Sequence, residues 1–280
     1  MKRVLVAGCT GYLGGYVVSE LQARGHLVRA LARDTEKLRQ KGIEANEVFQ
    51  AEVTVPESLK SSCEGMDAVF SSIGITRQKD GLTFHDVDYQ GNLNLLEEAI
   101  KSGVKKFIYV SVFNGPNLRD LDIVAAHEEF VDKLKASGIE YAVLRPTGYF
   151  SDMGQFLEMA RKGRVYLIGK GENSVNPIHG ADLAIECADA LEGENQEIDI
   201  GGPEVFSYRE IAELAFRATG KPVRITAIPA WLMKASTSVI KLFNRHQGGL
   251  IEFFTMAMTS NVVAPHTGSR SLEEHFKTSF

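Results

Sequence analysis

The sequence predicts an α/β fold built on a doubly wound parallel sheet, with a small C-terminal α+β lobe. Three observations carry that expectation. Up to Arg145, short apolar runs alternate with amphipathic stretches of helical spacing, the pattern of βαβ units. A glycine-rich turn follows the first run directly and opens the first helix. After Pro146 the alternation loosens, which predicts a core over residues 1–150 and a smaller lobe over 151–280, intertwined with it.

The elements follow in order. Val4–Ala7 is a short strand dense in Val and Leu, and Tyr12–Ala23 a helix with Leu13, Tyr16, Val17 and Leu21 on one side. Leu27–Ala32, Glu47–Ala51 and Ala68–Ser71 are the next strands. Phe84–Lys101 reads as one long helix with Leu93, Leu96 and Ile100 in phase. Phe107–Ser111 is a fifth strand, Val124–Ser137 a helix and Glu140–Leu144 a sixth strand. In the lobe, Gln155–Arg161 and Ala181–Leu191 are helices, Glu197–Ile200 and Val223–Ile228 strands. Ser207 and Glu210 form a capping box that opens a helix to about Ala218. Trp231–Phe243 and Leu250–Met258 are amphipathic helices.

Composition narrows the function classes. The 280 residues carry 31 Lys plus Arg against 36 Asp plus Glu, a formal charge of −5, with 44% apolar and 24% charged residues. Those values are ordinary for globular domains and argue against a disordered chain, a collagen or a membrane bundle. No basic stripe points to nucleic acid. Cys9, Cys63 and Cys187 are odd in number and far apart, so neither a zinc site nor a disulfide framework is expected. A reducing, cytoplasmic setting fits that usage. The apolar run before Gly8 is about five residues, too short for a signal peptide. No run of about 18 apolar residues predicts a membrane span.

The strongest motif is Gly8-Cys9-Thr10-Gly11-Tyr12-Leu13-Gly14. Glycines between a strand and a helix permit a tight turn and close backbone approach to a pyrophosphate, which sits on the helix N-terminus. The second signal ends the second strand, in Val28–Asp34. An arginine there accommodates a 2′-phosphate, and Arg33 occupies that neighbourhood, with Arg29 on the same side of the strand. Asp34 either binds a ribose hydroxyl or caps the following helix. NADP(H) is the favoured cofactor, NAD(H) the other candidate.

These residues, together with Ala51–Thr54, Asp88–Asn92, Gly103–Ser111, Ser137–Pro146, Pro177–Ala184 and Gly201–Pro229, resemble the atypical short-chain dehydrogenase/reductases of NmrA-like, NAD(P)H-binding type. The resemblance runs from Val4 nearly to the C-terminus. It implies a Rossmann-like fold in which Thr10 to Gly14 cradle the pyrophosphate and Arg33 faces the 2′-phosphate. It also implies that Glu52 and Val53 flank the adenine, and that Ser72, Ile73 and Gly74 pass under the adenosine ribose. Val110 and Ser111 would then border the nicotinamide ribose, and Pro146, Thr147 and Gly148 would present backbone to the nicotinamide amide.

The sequence departs from this family at the proton donor. No Tyr-x-x-x-Lys occurs in the helix that follows the fifth strand, Val124–Ser137. Tyr109 and Tyr141 stand four residues before Phe113 and Arg145, but a strand puts such residues two pleats apart, so neither is read as a catalytic pair. Relatives that keep only a lysine place it eleven residues before the glycine of Ser137-Gly138-Ile139, and that position is His127. His127 reads either as a substituted acid/base or as a surface histidine on the first turn of its helix. Ser111 either hydrogen-bonds substrate or satisfies backbone at a strand end. Tyr149 either offers its hydroxyl to substrate or packs at the lobe junction. His179 reads as structural, and Asp86 and Asp88 as helix-dipole partners rather than a catalytic pair. Trp231–Met258 reads as a helical lid or as an amphipathic segment for a membrane surface or partner.

The resemblance implies an NADP(H)-dependent oxidoreductase acting on a small apolar carbonyl or enone substrate, with His127, Ser111 and Tyr149 as candidate catalytic groups. The alternative is a non-catalytic NADP(H)-binding redox sensor or assembly factor with a regulatory protein partner. A monomer or weak homodimer fits either reading.

Overall fold

The computed structural model describes residues 1–75 and 81–278. The chain begins with β1 (Arg3–Ala7), α1 (Tyr12–Ala23), β2 (Leu27–Ala32), α2 (Thr35–Gln40), β3 (Glu47–Gln50) and β4 (Ala68–Ser71). A π-helical stretch, His85–Gly91, leads into α3 (Asn92–Lys101), followed by β5 (Lys106–Val110), α4 (Asp122–Ala136) and β6 (Glu140–Pro146). Then come α5 (Phe150–Arg161), β7 (Val165–Ile168), β8 (Ser174–Val175), α6 (Gly180–Asp189) and β9 (Gln196–Ile200). The chain ends with β10 (Phe206–Ser207), α7 (Tyr208–Thr219), β11 (Ile225–Ile228), α8 (Ala230–Phe243), α9 (Arg245–Thr259) and α10 (Leu272–Thr278).

Two compact units result: Met1–Arg145 with Leu183–Ile198, and Pro146–Asp182 with Asp199–Phe280. Residues 183–198, which lie within the lobe expected over 151–280, group with the first unit because β9 adds a strand to the main sheet.

That sheet runs β3-β2-β1-β4-β5-β6-β9. The pairs β2–β3, β1–β2, β1–β4, β4–β5 and β5–β6 are all parallel. Strand order reverses between β1 and β4, and ligands of open α/β sheets bind outside the carboxyl ends at such a switch point. Registers Ala7↔Ser71 and Ser71↔Tyr109 keep those ends level. Every residue of β4 and β5 is buried, which is why these strands read as continuous apolar runs.

The long helix expected over Phe84–Lys101 is the π-helical stretch continued by α3, and its inward face differs from the one expected. Leu95, Leu96 and Ala99 are buried with Asn92 and Asn94, whereas Ile100 is 46% exposed. The two asparagines set that rotation. Asn94 Nδ2 donates to Val53 O (2.8 Å), and Asn92 bonds within the β4 turn as described below.

In the second unit β7 pairs β11 in parallel and β8 pairs β10 antiparallel. The Ser207–Glu210 capping box forms in both directions, with Glu210 N donating to Ser207 Oγ (3.2 Å) and Ser207 N to Glu210 Oε2 (2.6 Å). Neither β7 nor α10 is expected from the sequence. Alternation in β7 spans only four residues, and α10 is held by burial of Leu272 and Phe276. Among the described residues no helix is long and apolar enough to cross a membrane.

Candidate functional site

The glycine turn between β1 and α1 has no room for side chains. Gly8 has φ +85°, a left-handed conformation, and a Cβ there would lie 2.8 Å from Ser72 Oγ. A Cβ on Gly14 would lie 2.2 Å from Gly8 O, so α1 rests directly on the turn. Gly11, the N-cap of α1, donates its N–H to Gly8 O (2.8 Å), and the helix has neither a side-chain cap nor an acidic residue in its first turn. Such a terminus suits an anion. A dinucleotide's pyrophosphate therefore fits the residues present. Tyr12 starts α1 and meets Tyr16 edge-on, while Leu13 is buried beneath. Lys41, just past α2, donates Nζ to Thr10 O (2.6 Å) and brings positive charge to the turn. The sequence carried no signal for it, because the path of α2 decides where Lys41 returns.

Arg33 lies beyond β2, 59% exposed, with its guanidinium 3.3 Å from Glu52 Oε2. The two expected cofactor residues are thus neighbours, joined by an exposed ion pair that is easily exchanged. Asp34 caps α2, accepting from Glu36 N (3.0 Å) and Lys37 N (3.1 Å), which accounts for its carboxylate. Arg29 is tied to Glu47 and to the carbonyls of Ser62 and Glu64, so it is not a partner of Arg33. Val53 is buried, and a Cβ on Gly91 would lie 2.9 Å from its Cγ2.

The turn after β4 is fastened by polar side chains. Ser72 N donates to Ala7 O (3.2 Å). Ser71 Oγ donates to Asn92 Oδ1 (2.6 Å), and Asn92 Nδ2 donates to Asp88 O (2.8 Å) and Ile73 O (3.3 Å). Ile75 N donates to Asp88 Oδ2 (3.1 Å). Asp88 Oδ1 lies 3.1 Å from His127 Nε2, and His127 Nδ1 lies 2.5 Å from the Tyr109 hydroxyl. Tyr109 and Asp88 are 0% exposed and His127 8%. Burial, aided by the Asp88 and Glu128 carboxylates, holds the Tyr109 phenol well above its ordinary pKa. The phenol is therefore protonated and shares a hydrogen bond with Nδ1, while Nε2 faces Asp88.

This arrangement corrects one expectation. His127 is not a surface histidine, because it lies on the inward face of α4. Asp88 stands in the first turn of the π-helical stretch, as expected, and also lies beside the imidazole. Asp86 does serve the helix start, accepting from Thr83 N (2.8 Å) and Thr83 Oγ1 (2.7 Å). Tyr109, set aside as half of a Tyr-x-x-x-Lys pair, joins the site through His127 instead.

A second buried network adjoins on α4. Ser111 Oγ donates to Glu128 Oε1 (2.6 Å), Arg145 NH2 to Glu128 Oε2 (2.9 Å), and Arg145 NH1 lies 2.9 Å from Glu197. The Ser111 proton is thus committed inside the protein, and its N–H donates to Leu144 O (2.8 Å). Val110, buried at the end of β5, stands opposite Leu144.

The remaining candidates belong to the second unit, where Pro146 ends β6. Thr147 N donates to Ile200 O (3.0 Å) and its Oγ1 to Asn176 O (2.6 Å). Gly148 has φ +152°. Half-buried Tyr149 is the N-cap of α5 and bridges Ile178 through its backbone. His179 meets Phe150 and His275 edge-on, consistent with a structural histidine.

The family model described as NAD(P)H-binding matches residues 8–194. The chain is 28% identical over 253 residues to the photosystem II assembly factor Ycf39 of Synechocystis sp., covering 86% of this chain and 75% of that protein. It is 28% identical over 300 residues to the chloroplastic divinyl chlorophyllide a 8-vinyl-reductase of Zea mays, covering 97% and 75%. Its fold matches the NADPH complex of the Escherichia coli quinone oxidoreductase QOR2 with a TM-score of 0.78, at 18% identity over 100% of this chain and 99% of that one. The chain therefore belongs to the NAD(P)H-binding family.

Proposed function

We propose that this protein binds NADP(H) and reduces a small, largely apolar carbonyl or enone compound. The observation that carries this reading is the buried Tyr109–His127–Asp88 relay against the β4 turn. Burying polar groups is unfavourable unless they have partners, and here Tyr109 and His127 are hydrogen-bonded and the Asp88 carboxylate lies beside the ring, at the carboxyl ends of the strands. The match to a vinyl reductase supports reduction as the reaction type. Bound NADPH would supply the hydride.

The chain's own residues have separable tasks. Gly8 to Gly14 and Lys41 hold the pyrophosphate, and Arg33 exchanges Glu52 for the 2′-phosphate, which selects NADP(H) over NAD(H). His127 polarises the substrate from its ring edge, Asp88 and Tyr109 orient the ring, and the proton comes from solvent. A Cβ on Gly74 would lie 3.4 Å from His127 Cε1 and 3.5 Å from Nε2, so glycine there leaves that ring edge uncovered. Ser111, its proton given to Glu128, offers substrate an acceptor oxygen.

The test begins with thermal stability in NADPH, NADH and no cofactor, since a ligand of the native state raises apparent stability. Arg33→Ala should abolish the preference for NADPH. NADPH oxidation is then followed with a panel of apolar quinones and enones. His127→Gln should lower turnover at least about tenfold, while a cofactor-induced stability shift remains. No stabilisation by either dinucleotide would overturn the binding reading.

A second reading is favoured by the match to an assembly factor and by the lack of a Tyr-x-x-x-Lys in α4. In it the chain binds NADP(H) without turnover and recruits a protein partner according to cofactor redox state. Stabilisation by NADPH with no turnover of any panel compound would favour it, and distinct affinities for NADPH and NADP+ are what it requires.

A further inference from the structure

Helix α8 turns an apolar face outward. Trp231 is 71% exposed, Leu242 84% and Phe243 88%, and Leu232 and Val239 are also exposed. At about 100° per residue these side chains fall within roughly a third of the helix circumference. The opposite side is the packed one, where Thr237 is buried and donates Oγ1 to Met233 O (2.8 Å). Lys234 and Lys241 border the apolar stripe on one flank, and Lys241 Nζ lies 2.5 Å from Glu252 on α9. A contiguous apolar stripe of this kind marks an interaction surface.

Charge indicates what covers it. Between Glu213 and Glu252 the chain holds Arg217, Lys221, Arg224, Lys234, Lys241 and Arg245 and no acidic residue, within a protein of formal charge −5. We propose that α8 docks on an anionic lipid surface, with Trp231, Leu232, Val239, Leu242 and Phe243 entering the headgroup region and Lys234 and Arg245 meeting lipid phosphates. Apolar burial and electrostatic attraction act together in such helices, and lysines can bury their stems while keeping the ammonium in the headgroup layer. With 14 residues, α8 lies along the surface rather than across it. A second copy of this chain would instead bring the same basic rim against itself. The proposal uses no residue of the cofactor site and stands apart from the reading above.

Trp231 is the sole tryptophan, so intrinsic fluorescence reports this helix alone. The full chain is mixed with vesicles of phosphatidylcholine, with or without phosphatidylglycerol. The expected result is a blue shift of Trp231 emission and co-sedimentation with the anionic vesicles, both reversed by salt. Lys234→Glu with Arg245→Glu should weaken partitioning at least about tenfold. Leu242→Ser with Phe243→Ser should remove it, with circular dichroism confirming that each variant is folded. No blue shift with anionic vesicles, or equal binding to neutral ones, would overturn the proposal. A blue shift that grows with protein concentration without lipid would overturn it in favour of a second copy.

Discussion

The Tyr109 hydroxyl of β5 and His127 Nδ1 of α4 are 2.5 Å apart, inside a site where the phenol is fully buried. Tyr109 also packs edge-on against Phe130, with ring centroids 4.6 Å apart. Tyr109→Phe keeps that packing and removes only the hydroxyl bonded to Nδ1. Leaving a buried polar nitrogen unsatisfied should lower unfolding free energy by about 1–3 kcal/mol, read by urea denaturation.

Arg145 and Glu128 form a buried ion pair, their side chains 4% and 1% exposed. Arg145→Met strands the carboxylate and should cost about 3–5 kcal/mol in stability. Glu128→Met with Arg145→Met removes both charges together. The double variant should be more stable than the Arg145→Met single, and denaturation midpoints of the three proteins check the coupling.

Phe150, His179 and His275 form a ring cluster with centroids 5.4–5.5 Å apart. Burial holds both imidazoles below their ordinary pKa of 6.5. Just below that value the unfolded chain binds more protons than the folded one, so stability rises with pH there. Their contribution is complete above 6.5 and is lost as pH falls toward the folded-state values. The melting temperature should drop between about pH 7 and pH 5, and His275→Gln should flatten that drop.

Gly14 and Gly154 should respond oppositely to alanine. A Cβ on Gly14 meets the Gly8 carbonyl oxygen at 2.2 Å, and backbone must shift to admit it. Gly14→Ala should cost about 1–3 kcal/mol and remove any stabilisation by NADPH. A Cβ on Gly154, within α5, meets nothing within 4 Å. Gly154→Ala should stabilise by about 0.5–1 kcal/mol. Thermal melts with and without NADPH distinguish the two.

By itself the sequence determined what local chemistry dictates. Apolar alternation marks β1 to β6, the glycines at 8, 11 and 14 mark the anion turn, and Ser207 with Glu210 marks a helix start. Each depends on residues a few positions apart, so each is legible without a fold. Helix rotation is not local in this sense. Local spacing does not say whether His127 on α4 faces solvent or lies between Tyr109 and Asp88, nor that Asp88 in the π-helical stretch before α3 reaches the imidazole. Only the tertiary structure decided which polar groups meet. Asp88, Tyr109 and His127 come from three elements, and Ser111, Glu128 and Arg145 from neighbouring ones. The physical reason is that a side-chain hydrogen bond tolerates only a few tenths of an ångström. Packing of helices on the sheet sets those distances, whereas apolar periodicity fixes only which side of each element turns inward.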